Sequence, residues 1–137
     1  LDAVIQPICA KVKTTFGATV ACLVVEACAL ATGSTQSFAN VMTGTLVSPI
    51  YKHLRLKPEN MSRAMEDFGT QGAILIPWGV NALYVAGMYG VTPMVFIPFC
   101  FLNILVPVIS LIYSLTGFSM TKYKEDEEIP EDAYPMA

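Results

Sequence analysis

The chain has 137 residues, 54% hydrophobic and only 14% charged, a balance that a water-soluble domain of this length does not keep dispersed. Its formal net charge of -3 belongs to one end: six of the eleven acidic residues lie between Glu125 and Asp132, and Gly69 to Thr121 carries no charge. Eight Lys and Arg scattered over three short junctions make no dense basic face, which sets nucleic acid aside and leaves the membrane class as the expectation.

The chain opens at Leu1 without a basic leader, so no signal peptide is expected and the sequence reads as a piece of a longer protein. Cys9, Cys22, Cys28 and Cys100 show neither CxxC nor Cys/His spacing and are expected as free, structural thiols. A bilayer core needs about 20 helical residues. Four stretches are read as spans, 14–32, 33–51, 71–91 and 94–116, within an all-α membrane domain of residues 1–121.

Glu26 lies two thirds of the way along the first span, where an ionised side chain costs about 2.5 to 3.5 kcal/mol. It is either a functional group facing a cavity or partner, a protonated or hydrogen-bonded group that only joins helices, or a Glu displaced toward the far surface. Residues 31–34 make an uncharged turn, and the second span follows with moderate hydropathy. Read as a helix, it places Gln36, Asn40 and Thr43 at i, i+4 and i+7 on one polar stripe. Gly44 and Ser48 form a small-xxx-small pair that admits a close neighbour.

The loop KHLRLKPENMSRAMEDFGT predicts a short amphipathic surface helix that starts near Pro58 and ends at Gly69. Met61, Met65 and Phe68 share its apolar stripe, Glu59–Arg63 and Arg63–Asp67 are i, i+4 pairs, and Glu66 and Asp67 read as a solvated face. His53 reads as a surface residue. The third span is broken by Pro77, Trp78 and Gly79, which predicts two half-helices meeting near mid-depth, with Asn81 beside the freed backbone N–H groups. A simple kink and a re-entrant path are the alternatives. In the fourth span Pro98 and Pro107 predict kinks rather than breaks, and Asn103 and Ser110 are expected to bond across helices.

With four crossings, all eight basic residues fall on one side and the turns near Gly33 and Gly90 carry none, which puts both ends in the cytoplasm by the positive-inside rule. The tail, 122–137, is acidic, holds two prolines and is expected to be disordered.

The stretch SRAMEDFGTQGAILIPWGVNA resembles the C-terminal part of the NhaC family of sodium/proton antiporters, whose pattern runs S-R-x-x-E-D-x-G-T and then L-I-P-W. Ser62, Arg63, Glu66, Asp67, Gly69, Thr70, Leu75, Ile76, Pro77 and Trp78 fit it. Thr35 stands where family members often carry Asp, and Gly79 where Asn often follows P-W. The resemblance implies a multi-pass transporter of the cell (inner) membrane that exchanges Na+ for H+, with related members exchanging organic anions. It is no enzyme, needs no cofactor and no resident metal, and works with an upstream half in the lipid bilayer. The expected pathway residues are Glu26, Thr35, Gln36, Asn40, Thr43, Asp67, Thr70 and Asn81, gathered where Thr35 to Asn40 meets the Pro77 to Asn81 break. A non-transporting assembly module, in which the polar stripe only cements helices, is the rival reading.

Overall fold

The computed structural model describes residues 12–130 and 133–134, so Cys9, Lys11 and the end of the acidic tail lie outside the described residues. Among the described residues there are six α-helices and no strand. Helix α1 spans Thr15–Ala31 and α2 spans Gln36–His53. Helix α3, Pro58–Met65, runs directly into a π-helical turn, Glu66–Thr70, and a 3-10 turn, Ala73–Leu75. Then come α4, Val80–Tyr89, the short α5, Pro93–Phe96, with its 3-10 extension Ile97–Phe99, and α6, Phe101–Thr116.

Local chemistry sets the ends of these helices. Thr14 caps α1 by accepting the Gly17 N–H at 3.1 Å. The uncharged turn after α1 forms where it was expected: Thr32 and Ser34 each donate a hydroxyl to the Ala29 carbonyl at 2.6 Å, and Gly33 takes φ +80°. Helices α4 and α6 both end on left-handed glycines, Gly90 and Gly117.

Helices α1, α2 and α3 form one close-packed layer. The small residues of α2 meet every fourth residue of α3: Gly44 faces the Met65 sulfur, and Ser48 Oγ lies 3.7 Å from Met61 Sδ. One apolar cluster, including Ala18, Cys22, Val47, Tyr51, Leu56 and Met61, closes one end of the layer. A smaller one, Ala29, Leu30, Ala39 and Ala73, closes the other. Cys22 is buried, Cys28 exposed and Cys100 half-buried, and all three thiols are free.

The basic junctions meet at the end closed by the larger cluster. Leu56 pairs with Lys122, Tyr123 N–H donates to the Arg55 carbonyl at 2.8 Å, and Asn60 donates to the Thr121 carbonyl at 2.6 Å and accepts the Thr121 N–H at 3.1 Å. Lys57 stands over the Tyr123 ring at 5.4 Å. A cavity at this end is lined by Lys13 and Lys122 together. The described part of the tail forms no helix, yet Tyr134 is buried against the larger cluster and donates its hydroxyl to the Leu56 carbonyl. Burial, with Tyr123 nearby, pushes the Tyr134 phenol up to about 12, so it stays a donor at neutral pH.

Three local expectations are corrected. The surface helix does not stop at Gly69: the layer continues to Leu75, because the π turn absorbs the glycine instead of ending the helix. The pairs Glu59–Arg63 and Arg63–Asp67 do not form, since Arg63 reaches 3.1 Å to Ser119 Oγ and 3.2 Å to the Ser119 carbonyl on the chain leaving α6. The fourth stretch breaks rather than kinks, bending by 54° where the 3-10 turn around Pro98 meets α6 at Cys100, whereas Pro107 stays inside α6.

No single helix among the described residues is long and apolar enough to cross a membrane alone. Two bent pairs are: Pro58–Leu75 with Val80–Tyr89, at 47°, and Pro93–Phe99 with Phe101–Thr116. Along α4 to α6 large apolar side chains face outward, Phe99 at 72% and Leu102 at 66% exposure, a surface that water does not tolerate over such an extent.

Asn60 is 3% exposed and ties the basic junctions together. Asn60→Ala leaves the Thr121 N–H without its acceptor, at about 1–3 kcal/mol, while Lys57 N–H still donates to the Thr121 carbonyl. Thermal denaturation of the purified full-length protein should show a lower midpoint, and an unchanged midpoint would mean that other contacts hold the junction.

Candidate functional site

Between the two apolar clusters the layer turns polar. Glu26 on α1 is 0% exposed, and neither carboxyl oxygen has a hydrogen-bond partner. Asn40 Oδ1 and Thr43 Oγ1 on α2 are likewise buried without a partner. The Thr43 hydroxyl faces the Glu26 carboxyl without closing a hydrogen bond of normal geometry, and the Glu66 carboxylate adds its negative field. Three kinds of oxygen therefore converge, and the only donors these three side chains bring are the Thr43 hydroxyl and the Asn40 amide.

The third wall is the π turn. Gly69 is buried there, and its bare Cα faces Asn40 Oδ1 and Glu26 Oε1. Beside it a polar relay runs across the layer: Gln36 Nε2 donates to Thr70 Oγ1 at 2.7 Å, and Thr70 Oγ1 donates to Glu66 Oε2 at 2.5 Å. Just past the turn, Asn103 of α6 donates to the Gln71 carbonyl at 3.0 Å and to Gln71 Oε1 at 3.1 Å. That bond serves a carbonyl at the irregular stretch between the π turn and the 3-10 turn, and it is the interhelical role expected of Asn103.

Of the pathway residues expected from sequence, Glu26, Gln36, Asn40, Thr43 and Thr70 come together. The polar stripe does not face the Pro77–Trp78–Gly79 break, however. The break lies level with the end of α1, where Trp78 Nε1 donates to the Ala31 carbonyl at 2.9 Å. The stripe meets Glu66–Thr70 instead, because helix α3 begins at Pro58 and runs alongside α1 and α2. Thr35 is the exposed N-cap of α2 with no side-chain cap bond, and Asn81 is half-buried in the first turn of α4. Asp67 is half-buried and makes no hydrogen bond or ion pair among the described residues.

Gly69 is the member whose place at the site the sequence spacing does not show, and Asn103 joins it in the interhelical role expected of it. Gly69 read as a helix stop, and its position four residues after Met65, on the face that meets α2, was the signal available. Among the described residues no three His, Cys, Asp or Glu cluster, so the polar pocket offers one buried carboxylate surrounded by neutral oxygens rather than a divalent-metal cage. Such a set suits one positive charge, either a proton on Glu26 or a small cation held by the oxygens.

A family model described as the Na+/H+ antiporter family matches residues 1–118. The Na(+)/H(+) antiporter NhaC of Alkalihalophilus pseudofirmus is 31% identical over 87 residues, 64% of this chain and 19% of that protein. The arginine/ornithine antiporter ArcD of Halobacterium salinarum is 29% identical over 102 residues, 74% of this chain and 21% of its own. The malate-2H(+)/Na(+)-lactate antiporter of Bacillus subtilis is 28% identical over 107 residues, 78% and 23%. The chain thus spans about a fifth of the length of these curated relatives. No solved structure matches it.

Replacing Asn103 by Ala removes the donor that serves Gln71. Hydrogen exchange on the full-length protein should then quicken at the amides of 66–73, and unchanged exchange there would show that the π turn is held without α6.

Proposed function

We propose, because this chain belongs to the Na+/H+ antiporter family of multi-pass membrane proteins, that it forms the C-terminal part of a secondary transporter exchanging Na+ for H+ at the Glu26 cluster. One observation carries the reading: a carboxyl with no exposed surface, beside two further buried oxygens, none with a hydrogen-bond partner. A buried carboxylate demands neutralisation. A proton on Glu26 satisfies it, and so does Na+ held by Glu26, Asn40 and Thr43, but both cannot occupy it at once. Mutual exclusion at one site is what couples two opposed fluxes when the site opens alternately to each side.

The apolar clusters above and below serve as the two seals. In this reading α1, α2 and the two bent pairs each cross the bilayer once, residues 1–121 belong to the membrane domain, and 122–137 form a cytoplasmic tail. The gathering of basic residues at one end, and the uncharged turns at Gly33 and Gly90, support placing that end in the cytoplasm. The upstream part of the same protein completes the site, next to exposed Glu66 and half-buried Asp67. The motif residues Ser62 and Arg63 act at the cytoplasmic end of α3.

Exchange of an organic anion fits this pocket less well. A second carboxylate would be repelled by Glu26 and by the nearby Glu66, and one of the two Gln36 amide protons is already given to Thr70. The transport reading also separates from a non-transporting module by direct measurement. Full-length protein in proteoliposomes should show proton flux driven by Na+ or Li+ and not by malate or lactate. Glu26→Gln should abolish it with the fold intact, and Asn40→Ala should raise the KM for Na+ by about tenfold, the loss of one ligand. Cation-driven flux that survives Glu26→Gln would overturn the assignment of the site.

A further inference from the structure

Gly69 has no backbone reason to be glycine. It lies in a helical turn, and the positive-φ glycines are Gly33, Gly90 and Gly117. What it lacks is a side chain, and the missing atom matters. A Cβ there would sit 2.4 Å from Asn40 Oδ1, 2.7 Å from Glu26 Oε1 and 3.2 Å from Glu26 Cδ. Two oxygens from two different helices thus converge on one point over a third backbone. Carbon cannot approach oxygen so closely, so any side chain at position 69 displaces both oxygens.

We infer that Gly69 is the specificity-determining residue of the Glu26 cluster, its bare Cα leaving room for the Glu26 and Asn40 oxygens to pack together and share one small dehydrated cation in preference to a larger one. The inference rests on the cluster being the exchange site. Gly69 binds nothing itself; it is a positioning residue that acts through the two side chains touching it. A methyl group at this position pushes the Glu26 and Asn40 termini apart. Both are the far ends of flexible side chains, so the helices need not move and the fold survives while the oxygen spacing widens.

The test is cation-driven proton flux in proteoliposomes of the full-length protein, with Na+ and K+ gradients compared in wild type, Gly69→Ala and Gly69→Ala/Glu26→Asp. In Gly69→Ala the KM for Na+ should rise about tenfold while that for K+ stays level or falls, with an unchanged thermal midpoint. Glu26→Asp in the same background withdraws the carboxyl by one methylene from the new methyl group and should restore part of the Na+ preference. An unaltered Na+/K+ ratio of KM values, including an equal loss of rate with both ions, would overturn the inference and leave the exchange reading standing. A wild type without cation-driven flux would instead remove the exchange reading, and the inference with it.

Discussion

A carboxyl taken fully out of water without a donor is among the most costly things a protein can build, and the Glu26 environment is organised around that cost. The Glu66 carboxylate and the Asn40 oxygen make it worse, and the Thr43 hydroxyl offsets this only in part, until something positive arrives. The surrounding features follow from keeping this arrangement tight. Gly44 and Ser48 let α2 approach α3, Gly69 lets the side chains of α1 and α2 touch its backbone, and apolar clusters exclude water on both sides. The π turn provides the irregular backbone, and Asn103 from α6 serves the carbonyl next to it. Irregular helical turns of this kind concentrate at functional sites, where a regular helix would present the wrong face.

How much of this was legible beforehand depended on how local the signal was. The Thr14 cap, the uncharged turn, the stripe of Gln36, Asn40 and Thr43, and the break at Pro77 to Gly79 rest on neighbours within a few residues, and sequence spacing exposes them. Arg63 shows the opposite case. Its nearest carboxylates at i±4 are the natural local partners, yet it bonds Ser119, which lies more than 50 positions away and enters its reach only once α6 has returned to the basic end. The π turn was invisible for a different reason. One residue more per turn leaves no mark in composition, and a glycine inside an amphipathic run reads as a terminus. A helix that stops at Gly69 leaves Glu66 and Thr70 in a surface loop instead of beside Gln36, and the Pro77 to Gly79 break then stands as the nearest partner for the polar stripe.

The outward apolar face of α4 to α6 is the kind of surface a multi-pass membrane protein presents. Its side chains are left largely uncovered by the described residues, and the chain covers about a fifth of each compared relative, so both lipid and the rest of the protein are available to cover them. The layer of α1, α2 and α3, by contrast, buries its own small residues. The close-packed polar layer and the apolar outer helices are joined through Asn103 to Gln71 and through Trp78 to Ala31, among other contacts.

That last tie has an optical consequence. Trp78 is the single tryptophan of these 137 residues, and it sits at the joint between the layer and α4 with its ring 61% exposed and its N–H on the Ala31 carbonyl. An indole's emission wavelength follows the polarity around it and its hydrogen bond. In a protein whose other tryptophans are replaced, the colour of its fluorescence reports whether this joint is closed or parted, with no label attached.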